Sequence, residues 1–321
     1  MERNIEDIKS MIGNTPLIKF KYAFRGEIKY AYFKAEWFNL SGSIKDRVAV
    51  EIIANAYKKG ALKKGQTIVE TTSGNMGLSF CAVGAFLGHK VAIFMPEFMS
   101  KERQDLIKLY GAELILGKTF IECFEKAEKY AKENNAFMPK QFENSDNVQA
   151  HMETTAKEIL SQIDSEIEAC VAGVGTGGTI IGLSKFLKNK NPKVKAFAVE
   201  PKQSSLLTFG RSQGKHKIQG LSDEIIPAIF DKKQIDGIIQ VNDYDAIAMA
   251  QKLSMQMGLP VGISSGANFL GCVLSGFNNA VSVFADDNKK YLSSDLAVPV
   301  NSELVNEIEL ISYKAIRYFD K

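Results

Sequence analysis

Cysteine is scarce and scattered. Cys81, Cys123, Cys170 and Cys272 form no Cys-x-x-Cys pair, and only His89, His151 and His216 could join them as ligands. This spacing excludes a disulfide framework and leaves no zinc pattern, so each cysteine reads as a small buried hydrophobe. A surplus of one charge is missing as well: 40 Lys and Arg residues face 37 Asp and Glu, a net +3, with the signs interleaved rather than striped. That balance speaks against a nucleic-acid or membrane-surface protein. The longest nearly apolar stretch, Leu78 to Gly88, is too short to cross about 30 Å of hydrocarbon, and the Met-Glu-Arg-Asn-Ile-Glu-Asp start lacks a signal-peptide core. The expectation is a soluble, cytoplasmic protein without nucleic-acid or membrane partners.

What is present is enough for a large core. The chain has 321 residues, 45% of them hydrophobic, which at roughly 150 residues per domain means about two domains or one large α/β unit. Short β-branched or aromatic runs alternate with helical periodicity almost from end to end, the pattern of crossover connections and a largely parallel sheet. The runs 17–20, 28–36, 67–70, 90–95, 113–116, 168–174, 194–200, 237–241 and 280–284 read as strands. Helices are expected over 43–59, where Ile44, Val48, Ile52 and Ala56 recur every fourth residue before Gly60, from near Asn75, and over 101–110, 120–133, 148–163, 179–189 and 244–257. The polar run Asn144-Ser145-Asp146-Asn147 is the best domain boundary.

Three loops place glycine and small hydroxyl residues between a strand and a helix, where free backbone N–H groups can hold an anion. They are Thr71-Thr72-Ser73-Gly74-Asn75, Gly173-Val174-Gly175-Thr176-Gly177-Gly178-Thr179 and Gly262-Ile263-Ser264-Ser265-Gly266. Together they suggest a ligand with a phosphate, a ring and a carboxylate. The middle loop also fits the dinucleotide fingerprint, Gly-x-Gly-x-x-Gly followed by an acidic residue, Glu200, at a strand end; its two threonines suit a single phosphate better. Lys45, in the first turn of the 43–59 helix, is either a solvated helix lysine or an amine kept reactive by desolvation for a Schiff base.

In order along the chain stand Ile12-Gly13-Asn14-Thr15-Pro16-Leu17, Asn39-Leu40-Ser41-Gly42-Ser43-Ile44-Lys45-Asp46-Arg47, Thr72-Ser73-Gly74-Asn75, Gln141-Phe142-Glu143-Asn144, Gly175 to Thr179, Val199-Glu200-Pro201, His216-Lys217-Ile218-Gln219-Gly220 and Gly262-Ile263-Ser264-Ser265-Gly266-Ala267. Taken together these segments resemble the cysteine synthase (O-acetylserine sulfhydrylase) family, pyridoxal-phosphate enzymes of the tryptophan-synthase-β-like group. The resemblance implies two twisted-sheet α/β domains with pyridoxal 5′-phosphate in the cleft between them: residues 42–145 as a smaller mobile domain, residues 1–41 and 146–321 as the larger one, and a homodimer. It also implies β-elimination or β-replacement on L-cysteine or O-acetyl-L-serine through an aminoacrylate, with hydrogen sulfide as product or reactant.

The resemblance assigns roles residue by residue. Lys45 carries the cofactor and moves the substrate α-proton. Asn75 bonds the ring 3′ oxygen, and Gly175, Thr176, Gly177, Gly178 and Thr179 wrap the phosphate. Ser264 faces the pyridine nitrogen, with Ser265 adjacent and not separable by sequence; a neutral serine there favours β-elimination over chemistry that needs a long-lived carbanion. Thr72, Ser73, Gly74 and Gln141 hold the substrate carboxylate, although Thr72 and Ser73 also suit ordinary helix capping.

Two departures from the family pattern stand out. Met76 replaces a usual threonine, and after Gln219-Gly220 the chain reads Leu221-Ser222-Asp223-Glu224 in place of small residues. An acidic side chain over the substrate β-carbon makes Asp223 a candidate general base and would repel incoming hydrosulfide, which tilts the expectation toward cysteine consumption; a surface-loop carboxylate is the plain alternative. Other readings are an ordinary cysteine synthase, a nicotinamide-dependent dehydrogenase built on the Gly173 loop, or an interaction protein that has kept the fold without a cofactor.

Overall fold

The computed structural model describes residues 3–72, 74–211, 214–222 and 225–317, so Ser73 and Asp223 lie outside the described residues. The strands are β1 (Leu17–Phe24), β2 (Glu27–Ala35), β3 (Ile68–Thr71), β4 (Val91–Pro96), β5 (Glu113–Gly117), β6 (Ala169–Gly173), β7 (Lys195–Pro201), β8 (Gly237–Val241), β9 (Ala280–Phe284) and β10 (Ile308–Ile316). The helices are α1 (Ile5–Lys9), α2 (Lys45–Lys58), α3 (Asn75–Leu87), α4 (Lys101–Leu109), α5 (Phe120–Glu133), α6 (Asp146–Ala150), α7 (Ala156–Gln162), α8 (Gly178–Lys190), α9 (Leu206–Phe209), α10 (Asp243–Met257), α11 (Ile263–Ser275) and α12 (Glu303–Asn306).

The strands form two sheets. One has seven strands in the order β10-β1-β2-β9-β6-β7-β8, the other three in the order β3-β4-β5. The smaller sheet is parallel throughout, and its strands fall between residues 68 and 117; the strands of the larger sheet come from both ends of the chain. The larger sheet is parallel from β2 to β8 but antiparallel at its β10-β1-β2 edge. There Arg25 and Gly26, at φ 51° and 82°, make the left-handed two-residue turn that suits a twisted hairpin.

Three sequence expectations need correction. The segment 262–266, expected as a loop between a strand and a helix, follows the helix α10 and already forms the first turn of α11 from Ile263 on. The sequence pattern predicts no strand at β10, because only Ile308 and Leu310 of its nine residues are buried; the strand exists by pairing with β1, not by its own alternation. The helix expected over 148–163 is interrupted: after α6 a π-helical turn spans His151–Thr155 before α7 begins. Such a turn costs regular hydrogen bonding and recurs at functional sites.

The core beneath the larger sheet is aromatic. Phe33 stacks on Phe284 at 4.3 Å and on Phe269 at 5.2 Å, fixing α11 against β2 and β9 and so placing the first turn of α11 at the carboxyl edge of the sheet. All four cysteines are buried and free. No helix among the described residues is long and apolar enough to cross a membrane.

Candidate active site

Four helices begin at one cavity. Its wall includes Lys45 at the start of α2, Asn75 and Met76 of α3, Gly175, Thr176, Gly177 and Thr179 at the start of α8, and Ser264 of α11. The N-cap positions of these helices are Ile44, Gly74, Gly177 and Gly262, and none of these residues caps its helix with its own side chain; Ser43 Oγ accepts from the Lys45 N–H at 3.3 Å and Thr176 Oγ1 from the Gly178 N–H at 3.4 Å. By contrast Asn4, Thr119 and Asn242 cap α1, α5 and α10. First-turn N–H groups and the positive ends of several helix dipoles therefore face one space, a setting that favours anions.

The start of α2 is anchored from below. Fully buried Arg47 donates from Nε to Glu36 at 2.6 Å and from Nη1 to Glu158 at 2.7 Å. Burial alone would push the Glu158 carboxyl up, but Arg47 and then Lys34 outweigh it and hold it at about 2. His151, also fully buried, is driven well below its usual pKa by burial and by the charges of Lys45 and Arg47.

The Gly173–Thr179 loop leaves β6 and turns into α8. Gly177 sits at φ +82°, and a Cβ on Gly178 would lie 1.9 Å from Asn147 Oδ1, so the turn is a close approach that only glycine permits. Asn147 Nδ2 donates to the Thr176 hydroxyl at 3.0 Å, and Thr179 Oγ1 lies 3.2 Å from His151 Nε2. Gly178 does not line the cavity; its N–H points at Thr176 Oγ1, 3.4 Å away. Asn147 and His151 were missed by sequence reasoning. Their spacing of one helical turn, two polar residues on the face of an otherwise packed helix, was the available signal.

On the opposite wall Thr72 Oγ1 accepts from the N–H of Gly74 at 3.0 Å, and Gln141 Nε2 donates to the Thr71 carbonyl at 3.0 Å. Thr72 and Gln141 both line the cavity. Gly74, at φ +146°, packs so closely on Arg103 that a Cβ there would fall 2.1 Å from Arg103 Cδ. Arg103, a further residue not anticipated, is buried and reaches the cavity. At the start of α11 the two serines separate: Ser264 lines the cavity, whereas Ser265 Oγ accepts from the N–H of Ala285 at 3.1 Å. Glu200, which a dinucleotide site would aim at a ribose, is buried and accepts from the Leu207 N–H at 2.7 Å and from the Thr208 hydroxyl. Its acceptors are spent on the chain itself.

Residues 8–284 match the family described as pyridoxal-phosphate dependent enzyme. The chain belongs to that family. This pyridoxal-phosphate enzyme is 38% identical over 304 residues to a cysteine synthase of Staphylococcus aureus, covering 92% of this chain and 98% of that one. It is 40% identical to the crystal structure of a hydrogen sulfide-producing enzyme from Fusobacterium nucleatum, covering 98% of each chain with a TM-score of 0.94. A variant of that hydrogen sulfide-producing enzyme with asparagine in place of one aspartate, solved with an α-aminoacrylate intermediate, matches at 40% identity and a TM-score of 0.95, covering 98% of this chain and 99% of that one. A cysteine synthase from Entamoeba histolytica matches at 36% identity and a TM-score of 0.84, covering 94% of this chain and 93% of that one. The fold is thus the tryptophan-synthase-β-like one, and the cofactor chemistry replaces the dehydrogenase reading of the Gly173 loop.

The residues of this pyridoxal-phosphate enzyme fit the cofactor. The turn that a Cβ would fill, the two threonine hydroxyls backed by Asn147 and His151, and the start of α8 suit a phosphate dianion. Asn75 Oδ1 is buried without a partner among the described residues, an unspent polar atom on a side chain that lines the cavity.

Proposed function

We propose that this enzyme catalyses β-elimination and β-replacement on L-cysteine or O-acetyl-L-serine, and that its main direction consumes L-cysteine and releases hydrogen sulfide. The observation that carries the reading is the convergence of Lys45 and four helix N-termini on one cavity, in a chain 40% identical to a hydrogen sulfide-producing enzyme. Bound pyridoxal phosphate supplies the electron sink for loss of the α-proton and the β-substituent.

Every other role falls to the chain. Lys45 would hold the cofactor covalently and, once displaced by substrate, move the α-proton. Gly175, Thr176, Gly177, Gly178 and Thr179 would cup the phosphate, Asn75 would bond the ring oxygen, and Ser264 the ring nitrogen. Thr72, Ser73, Gly74 and Gln141 would grip the substrate carboxylate, and Met76 would present an apolar wall beside it. Residues 42–145 would close as the smaller domain and exclude water. Asp223 would accept the proton of a water molecule as it adds at the β-carbon, so that L-cysteine and water give L-serine and hydrogen sulfide. The enzyme would work in the cytoplasm as a homodimer.

A cysteine synthase is the second reading, favoured by the 38% identity to the Staphylococcus aureus enzyme. Two assays separate them: L-cysteine alone, with sulfide detection and mass analysis of the amino-acid product, against O-acetyl-L-serine plus sulfide. The proposal expects sulfide and serine from cysteine at the higher kcat/KM, and a drop of at least tenfold in sulfide release for Asp223→Asn. Faster cysteine formation from O-acetylserine would make the chain a cysteine synthase. Lys45→Ala is expected to lose the cofactor's visible absorption band.

A further inference from the structure

The segment after β9 ties together three of the four helix starts at the cavity. The Ala285 carbonyl accepts from the N–H of Ile44, beside Lys45, at 2.9 Å, and the Asp286 carbonyl accepts from the N–H of Gly262, at the head of α11, at 3.1 Å. The third tie is a side chain. Asp286 Oδ2 accepts from Asn75 Nδ2, in the first turn of α3, at 2.8 Å, and from the Tyr291 hydroxyl at 2.7 Å. Arg103 Nη2 stands 3.7 Å away, its guanidinium 4.4 Å above the Tyr291 ring. The Asp286 side chain has no exposed surface.

A carboxylate only accepts hydrogen bonds, while an amide side chain both donates and accepts. The atom of Asn75 that faces Asp286 must therefore be Nδ2, which removes the two-fold ambiguity of the amide. Without that partner nothing else holds the flip: Asn75 Oδ1 has no partner among the described residues. We propose that Asp286 is a positioning residue for Asn75, holding its amide in the one orientation that can serve the cofactor's ring oxygen. This rests on the proposed contact between Asn75 and that oxygen. Asp286 does not line the cavity, so it would act through Asn75.

The test is a double-mutant cycle on cofactor binding. Apo-protein is titrated with pyridoxal phosphate, and the Kd and the visible spectrum of the bound cofactor are recorded for wild type, Asp286→Asn, Asn75→Ala and the double variant. Asp286→Asn frees the amide to flip, so about a tenfold rise in Kd and an altered ratio of the cofactor's absorption bands are expected. In the Asn75→Ala background the same substitution is expected to change Kd less than twofold. Additive effects, or a spectrum and Kd for Asp286→Asn equal to wild type, overturn the proposal. If Asp286→Asn does not fold, Asp286→Glu keeps the charge but displaces it, and a wild-type Kd there overturns the proposal equally. Failure of the wild type to bind pyridoxal phosphate would instead sink the reading of the site as a whole.

Discussion

Asn147 donates from Nδ2 to the Thr176 hydroxyl at 3.0 Å, which leaves the hydrogen of that hydroxyl to be given elsewhere. A second donation, from Nδ2 to the Gln141 carbonyl at 2.9 Å, fixes the amide in that orientation. If the proposed phosphate occupies this turn, Asn147 aims the Thr176 hydrogen at it. Asn147→Asp would reverse this, because a carboxylate takes the threonine hydrogen and adds a negative charge beside the phosphate. Pyridoxal-phosphate affinity is expected to fall on the order of 100-fold, about 3 kcal/mol. Titration of the apo-protein measures it, and an unchanged Kd would show that Thr176 does not serve the phosphate.

Much of this was legible in the sequence, for a physical reason. Two of the three loops, Thr71–Asn75 and Gly173–Thr179, do join a strand to a helix and announce themselves through glycine, which costs conformational entropy unless a close approach or a left-handed turn needs it; the α2 periodicity of Ile44, Val48, Ile52 and Ala56 comes from burial. What the sequence hid depends on long-range geometry. Asn147, His151, Arg103 and Asp286 are single polar residues that each reach a partner far along the chain, Asn147 to Thr176, His151 to Thr179, Arg103 to Gln219 and Asp286 to Asn75, the last pair 211 residues apart. The choice between Ser264 and Ser265 turned on which faces the cavity, a matter of helix phase at α11. The π turn at His151–Thr155 leaves no compositional mark.

Arg47 is the charge on which the start of α2 rests. It is fully buried and shared between Glu36 and Glu158, so removing it strands the Glu36 carboxylate in a site that cannot hydrate it and leaves Glu158 with Lys34, 2.8 Å away, as its remaining cation. Arg47→Met is expected to lower unfolding stability by about 3–5 kcal/mol, the range for breaking a buried ion pair. Denaturant unfolding of the apo-protein reads this without any contribution from cofactor. A loss below about 1 kcal/mol would mean that water reaches the pair.

Met76 is 1% exposed and lines the cavity, so it offers the substrate side a thioether and methylenes in place of a hydroxyl. One hydrogen bond of about 1 kcal/mol corresponds to roughly fivefold in rate. Met76→Thr is therefore expected to raise the ratio of cysteine synthesis to cysteine breakdown about fivefold, measured as the two kcat/KM values on the same preparation. An unchanged ratio would remove Met76 from the determinants of direction.

Glu70 lies behind the cavity wall that includes Thr72 and Gln141, and burial raises its pKa to about 7 even though the N–H groups of Thr71 and Gln141 bond to it. The sign follows from comparing the folded and unfolded carboxyl. Below about pH 4.5 both are protonated and the burial costs nothing extra; between about 4.5 and 7 the unfolded chain gives up the proton while the folded one keeps it. Stability should fall as pH rises through that window, by on the order of 3 kcal/mol in total, and level off once the folded carboxyl ionises. Glu70→Gln cannot ionise, so its stability is expected to lose this slope; because its Nε2 cannot accept one of the two N–H donations that Glu70 receives, its stability is expected to be lowered evenly across the pH range. Ionisation also changes the group that holds the Gln141 backbone, so the KM for L-cysteine in the wild type should carry a break near pH 7 that the Glu70→Gln variant lacks. Chemical denaturation at pH 5, 6, 7 and 8 with both proteins decides it: parallel curves would mean that Glu70 is already charged inside the folded protein.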